Sequence, residues 1–409
     1  MQTFTGKQYL KIDIANSFGL DKETWDTRLA WFDKHEHELG DILPQAADPA
    51  MYYAGIEAWH KATIGEPSGY MISLDATSSG LQILAALTGD RRAALLCNVL
   101  DFRPKAEIER RDGYTVIYNR MVEVLHQMGA PAGNITRDDT KQAIMTSLYG
   151  SQAVPKEVFG EGIQLNVFYR VMAEAAPAVW ELNEAFLDMW NPDALSHDWV
   201  LPDNFHVHIK VMDQVKETVQ FLNEPYDTFH AVNRPTEEGR SLGANTIHSI
   251  DGMIVREMSR RCDYDLDTIL RVTEALINEM PGGLGIGRPE DIMVTTLWDH
   301  YEKSGYLSAR ILDYLSLSNI GIVEKEPIWE LINSLPEKPF KVIAVHDCFR
   351  CLPNYGNDLR QQYNLQLAAI GKSNLLQFLL SQIVGRQLNI GKLDPDMHRE
   401  ITFTNYALS

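Results

Sequence analysis

Three short stretches carry the residue types that do chemistry on phosphates. The first, SLDATSSGLQ at residues 73–82, sets the carboxylate of Asp75 at the end of an apolar run and ahead of small residues. There the aspartate and the next carbonyl, that of Ala76, offer two hard oxygens to a metal. The second, RDDTKQAIMTSLYG at residues 137–150, places Arg137 and Lys141 four residues apart, hence on one helix face near its start. A guanidinium fork and a mobile ammonium suit a triphosphate, the ammonium also as an acid, and Tyr149-Gly150 closes the segment with an aromatic for a sugar or base. The third, AVHDCFRC at residues 344–351, puts Asp347 at the tip of an expected hairpin with apolar strands, which costs solvation unless a cation or donor waits there. Each has a plainer reading alone: an N-cap for Asp75, a solvated face neutralised by Asp138 and Asp139, a turn residue for Asp347. Together, two carboxylates far apart in sequence and a cationic helix are the parts of two-metal nucleotidyl transfer, with two Mg2+ ions as cofactors.

The elements that must position these groups are legible in outline. Residues 70–74 read as a buried strand and the pattern from Gly80 as a helix, so Asp75 falls at a strand-to-helix junction. Helices are expected over 102–128, over 137–149, and from a cap at Asp21 through Trp25, Leu29 and Phe32 to Gly40. Alternation at Phe205, Val207, Ile209 and Val211 marks hairpin and loop between 201 and 240, and helical periodicity resumes near 250. Residues 281–291 read as a loop, and FKVIAV at 340–345 as a buried strand followed by His346-Asp347 and a second strand ending at Pro353. Amphipathic helices fill most of 358–386. The expected class is α+β.

Composition bounds the rest. The chain has 409 residues, 45% hydrophobic and 23% charged, which excludes fibrous and disordered classes. No apolar run reaches the roughly 18 residues of a membrane span, and no basic start precedes an apolar stretch, so residence in a cytosol without membrane partners is expected. Cys97, Cys262, Cys348 and Cys351 are too scattered for a disulfide framework. Cys348 and Cys351 form a lone C-x-x-C whose members an extended strand would point apart, His206 and His208 read as ordinary strand histidines, and Gly282, Gly283, Gly285 and Gly287 miss the dinucleotide register. A net charge of -19 argues against indiscriminate nucleic-acid binding. A polyanion would need a local basic site, metal ions, or a partner chain that brings positive charge.

The order of the three stretches resembles the phage-type, single-subunit RNA polymerases, whose right-hand fold of palm and fingers is shared with family A DNA polymerases. Residues 75–82 resemble that family's first palm motif, Arg137, Lys141, Tyr149, Gly150 and Ser151 its fingers helix, and His346-Asp347 its palm hairpin. Asp112 and Tyr114 are similar to an Asp-x-Tyr opening the fingers, Pro202-Asp203-Asn204-Phe205 to a Pro-Asp-Gly-Phe turn, and His248-Ser249-x-Asp251-Gly252 to a motif whose histidine assists ribose recognition. The resemblance implies a DNA-directed RNA polymerase, in which Asp75, Asp347 and the Ala76 carbonyl hold the metals. It also implies that Arg137 and Lys141 hold the triphosphate, that Tyr149 and His248 select ribose, and that Gly80, Gly150, Tyr114 and His346 line the nucleotide or hybrid site. Family A DNA polymerases place a glutamate gate where this chain has Gly80, so ribonucleotides are favoured. The rivals are a DNA polymerase fragment and a non-catalytic single-strand-binding subunit.

The family's N-terminal domain and thumb have no counterpart in the text from residue 1. The expectation is therefore a second, smaller subunit that supplies them, as in the split polymerases of the N-four-like phage group. The partners implied are a DNA template, nascent RNA, NTPs and a viral single-stranded-DNA-binding protein, in the cytoplasm of a bacteriophage's host. The expected domains are 1–104 as the first part of the palm, 105–250 as fingers, and 251–409 as the rest of the palm, with an insertion at about 260–338.

Overall fold

The computed structural model describes residues 1–101, 109–133, 135–239, 241–278 and 287–409. Its strands, in chain order, are β1 (Ile72–Asp75), β2 (Ser196–Val200), β3 (His206–Lys210), β4 (Met212–Phe221), β5 (Glu224–Asn233), β6 (Ile343–Val345) and β7 (Cys348–Cys351). They form a three-stranded sheet in the order β1-β7-β6 and two hairpins, β2-β3 and β4-β5, among many helices, so the class is α+β as expected.

The three-stranded sheet is antiparallel throughout, with Asp75 opposite Cys348 and Val345 opposite Cys348 on the other side. Ile72 and Leu74 of β1 turn into the core while Ser73 does not, the alternation that a half-covered strand demands. The helix that follows, Ser79–Thr88, is buried along its whole length, which is why it is apolar all round rather than amphipathic. It packs on the Ser241–Cys262 and Gly356–Lys372 helices. Asp13 on the first helix, Gly6–Ala15, ties that helix to β1 by accepting from the Ser73 N–H at 2.8 Å and the Tyr70 hydroxyl at 2.5 Å.

Several elements differ from the sequence reading. The Trp25–His35 helix is capped by Thr24, because a π-helical turn at Asn16–Leu20 ends before Asp21. The expected helix over 102–128 begins only at Gly113, where Asp112 caps it, and residues 102–108 lie outside the described residues. Of the expected loop at 281–291, residues 281–286 lie outside the described residues, and Pro289 already opens the helix Pro289–Ser304. FKVIAV is not a buried strand: only Ile343–Val345 pairs, at the sheet edge, with Ile343 47% and Val345 55% exposed. Phe340 and Val342, just before it, carry the burial instead. A short apolar run fits a buried strand and an exposed edge equally well, so periodicity alone cannot separate them.

A second apolar core, built from residues between Val272 and Leu331, is distinct from the main one. Its segment leaves and rejoins the main body at one point, where the Phe340 N–H donates to the Cys262 carbonyl at 2.7 Å. Among the described residues no single helix is long and apolar enough to cross a membrane.

Candidate active site

Asp75 ends β1 and Asp347 sits in the two-residue turn between β6 and β7, with His346 beside it in the left-handed region at φ 56°. The two are brought together by backbone pairing: the Ala76 N–H donates to the Asp347 carbonyl at 3.1 Å, immediately past the Asp75–Cys348 pair. On its other edge Asp75 exchanges backbone bonds with Ser409, at 3.2 and 2.9 Å. Asp75 thus has a neighbouring chain on both sides, and its backbone has little freedom to move.

The carboxylates repel one another. Asp75 opens on a cleft, yet enough protein surrounds it that burial, and after it the charges of Asp347 and Asp21, push its carboxyl up to about 6. Asp251, on the Ser241–Cys262 helix, is also pushed up to about 6, by burial first and then by Asp347. The Ser79 hydroxyl donates to Asp251 at 3.5 Å. Two carboxyls raised by burial and by the charge of Asp347 mark a site short of positive charge. Asp75, Asp347 and the Ala76 carbonyl offer oxygens of the hard type that magnesium takes, although among the described residues no group of three or more His, Cys, Asp or Glu side chains is placed to hold a metal ion.

The cleft in front of Asp75 has a volume of about 420 Å3 and is lined by Ala76, Tyr114, Arg137 and Lys141 among others. The Arg137–Ser147 helix delivers the two cations from its first two turns, and a capping box between Thr136 and Asp139 fixes its start. Lys141 Nζ lies 5.5 Å from the Tyr114 ring centre and the Arg137 guanidinium 6.0 Å from it, so both cations share one aromatic face. Arg137 is already engaged: its Nε donates to Asp112 at 2.9 Å and its Nη1 to Asp138 at 3.1 Å. Lys141 has no carboxylate partner among the described residues. Of the two neutralising aspartates the sequence offered, Asp138 does pair with Arg137, whereas Asp139 serves the helix cap.

Tyr149, His248 and Gly80 form a second group beside the cleft. The Tyr149 and His248 rings lie 4.8 Å apart, and burial, then Asp251, pushes the Tyr149 phenol up to about 12, so it stays a protonated donor at neutral pH. A Cβ on residue 80 would stand 2.2 Å from the Tyr149 hydroxyl, so the ring occupies the space that a side chain there would claim. Gly150 follows in the turn that ends this helix. The charge of Asp347 acts on Asp75, Asp251, Tyr114 and Tyr149, so the hairpin tip bears on both groups.

Two residues that the motifs contained, but to which the sequence reading gave no role, take part. Asp251 was visible three residues after His248, on the same helical face, but nothing in its spacing gave its burial. Asp112 holds Arg137 as well as capping its own helix, a long-range pair no local pattern encodes. Of the set-aside signals, His206 and His208 are exposed, with His208 on Asp198, Cys351 is buried while Cys348 is less so, and Gly282, Gly283 and Gly285 lie outside the described residues.

Comparison with known proteins covers the first part of this site. Residues 3–157 match the family model described as DNA-dependent RNA polymerase. A DNA-directed RNA polymerase of Pseudomonas phage phiKMV is 28% identical over 176 residues, which cover 36% of this chain and 21% of that protein. A probable DNA-directed RNA polymerase of Neurospora crassa is 31% identical over 160 residues, covering 36% of this chain and 18% of its own length. The mitochondrial DNA-directed RNA polymerase of Schizosaccharomyces pombe is 26% identical over 172 residues, 36% of this chain and 14% of its own. The matched stretch therefore spans about a fifth or less of each relative. It contains Asp75, Gly80, Tyr114, Arg137, Lys141 and Tyr149, while His248, Asp251 and Asp347 lie beyond it. From residue 3 to residue 157 this chain is thus similar to the DNA-dependent RNA polymerases of phages and mitochondria.

Proposed function

We propose that this chain is the catalytic part of a DNA-directed RNA polymerase of the phage type, built as palm and fingers, which adds NTPs to an RNA 3'-hydroxyl on a DNA template. The observation that carries the reading is the pairing of the β1 end with the β6–β7 turn. It brings the charge of Asp347 to bear on Asp75, and Asp75 shares with Lys141 a cleft whose lining does not include Asp347.

In this reading Asp75, Asp347 and the Ala76 carbonyl hold two magnesium ions, and their oxygen donors and mutual repulsion suit that role. When bound, the pair supplies Lewis-acid activation of the attacking hydroxyl and neutralises the leaving pyrophosphate. Lys141, resting on Tyr114 without an acidic partner among the described residues, takes the triphosphate and gives a proton to the departing pyrophosphate. Arg137 joins it by exchanging Asp112 for phosphate oxygens, which its fork geometry permits. Tyr149 donates its hydroxyl hydrogen to the ribose, His248 stacks behind it, and Gly80 leaves the room both need. His346 and Gly150 line the same site. A second polypeptide that brings positive charge would suit a chain of net charge -19, because the template must meet positive charge somewhere.

The test is NTP incorporation on a primed single-stranded DNA template by the full chain, alone and with co-expressed candidate subunits. Asp75→Asn and Asp347→Asn should each lower incorporation by about a thousandfold or more, with unfolding profiles preserved. Synthesis that survives both changes would remove the catalytic role, and a preference for dNTPs would move the chain to the DNA polymerases.

A further inference from the structure

The Leu266–Ile277 helix, which lies in the segment with its own core, is apolar on two faces. With its inner face it joins that core: Val272, Ala275 and Leu276 are buried there, and Ile269 packs against them. Its outer face carries Leu266, Leu270, Thr273 and Ile277, with Leu266 54%, Leu270 60% and Ile277 66% exposed. Steps of four, three and four residues set these side chains in one row, the spacing of a coiled-coil seam. A surface helix packed by one stripe keeps its outer face polar, so a second apolar stripe left in water calls for a partner.

The helix is fixed at both ends. Asp265 caps its start, accepting from the Thr268 N–H at 2.9 Å, and Lys325 Nζ donates to the Leu276 carbonyl at 3.0 Å. Arg271 is the only basic residue on the helix, and it is committed to the carbonyls of Leu312, Asp313 and Leu315 at 3.3, 3.1 and 3.1 Å. Asp267 and Glu274, one residue past Leu266 and Thr273, edge the outer row with negative charge. The row's other edge, Ile269 and Leu276, is turned into the core.

Charge and geometry select the occupant. Residues 263–339 hold fourteen Asp and Glu against six Lys and Arg, so a nucleic-acid backbone or an anionic lipid surface is repelled. A second copy fails as well. Antiparallel pairing of two such rows sets the acidic edge against itself, and parallel pairing sets it against the edge that the core already occupies. We propose that this outer row docks an amphipathic helix of a second polypeptide, one whose apolar seam is edged by lysine or arginine where it meets Asp267 and Glu274. Leu266, Leu270 and Ile277 are the anchors, and the two carboxylates set orientation and encounter rate. None of these residues lines the cleft of Asp75, so the proposal goes beyond the nucleotidyl-transfer reading and does not rest on it.

The test pans a display library of helical peptides about three heptads long, with leucines fixed in the seam and the flanking positions randomised, on the full chain. Binders that also hold the Leu270→Gln/Ile277→Gln variant are discarded. Support is enrichment of lysine and arginine at the flanking positions. Synthesised winners should bind the full chain about tenfold or more tighter than Leu270→Gln/Ile277→Gln. They should lose about threefold or more with Asp267→Asn/Glu274→Gln, a loss that shrinks as salt is raised. Both double variants change exposed side chains and should match the parent in thermal unfolding. The proposal is overturned if no winner depends on the row, if the winners carry acidic or unbiased flanks, or if sedimentation shows self-association that Leu270→Gln/Ile277→Gln abolishes. A fluorescein-labelled DNA duplex or single strand that loses affinity with that same variant would overturn it too.

Discussion

Glycine at position 80 shows how a single residue decides what the site admits. An added Cβ would lie 2.2 Å from the Tyr149 hydroxyl and 3.0 Å from the ring carbon that bears it, too close for either to stay. Gly80→Ala should therefore displace the phenol and cost about 1–3 kcal/mol of stability in urea unfolding. The same change made on Tyr149→Phe should cost less, since the nearest colliding atom is gone, and the difference between the two measures the contact. Equal costs in both backgrounds would mean that the ring does not hold this position in solution. Where the chain incorporates nucleotides, the displaced hydroxyl should also narrow the preference for NTPs over dNTPs by about tenfold or more.

At the level of elements, a buried charge joins the first helix to the strand that carries Asp75. Asp13 is 3% exposed, and burial, only partly offset by bonds from Tyr70 and Ser73, pushes its carboxyl up to about 6. The folded state thus holds a proton that the unfolded chain releases near pH 4. The contribution to stability is full below that pH and is lost as pH rises through about 6. Asp13→Asn removes the titration, so the variant should gain on the parent between pH 4 and 7 by up to about 3 kcal/mol, and parallel unfolding profiles would refute it. That carboxylate was invisible in the sequence for the same reason as Asp251: both lie on helices whose pattern announces a core face, not which polar group falls inside it. The strand-to-helix junction at Asp75, the cationic helix and the hairpin tip were legible because turn chemistry and periodicity are local. Cover is not local, so FKVIAV passed for a buried strand, and the pairing of Asp112 with Arg137 was beyond reach.

The largest unit to emerge is the segment between Cys262 and Phe340, which the sequence marked only as surplus length. Its ends meet through the Phe340–Cys262 backbone bond of 2.7 Å, the Lys341–Asp263 ion pair at 2.8 Å and the Tyr264 hydroxyl on the Pro336 carbonyl at 2.7 Å, and its side chains from Val272 to Leu331 pack on one another as a separate cluster. The joint to the main body includes Glu257, which is fully buried and accepts from the Ser308 hydroxyl at 2.5 Å and the Ala309 N–H at 2.9 Å, and bonds from Arg310 to the Asp203 carbonyl at 2.8 Å and from Gln362 to the Ser334 carbonyl at 2.6 Å. Arg260 and Arg261 also bind Glu257, at 2.9 and 3.2 Å, and they belong to the main helix, so the carboxylate keeps its charge partners when the segment is gone. Tyr306 is the one member of the segment that enters the main core among the described residues, and its removal leaves a void. Replacing residues 263–339 by a three-residue Gly-Ser linker should therefore give a chain that still unfolds cooperatively. It should be weaker by about 3–5 kcal/mol, with a urea slope reduced in step with the lost surface. A broad, non-cooperative transition would show that the second cluster is part of the main fold rather than a guest within it, because only a shared core would make the remainder lose its unique packing.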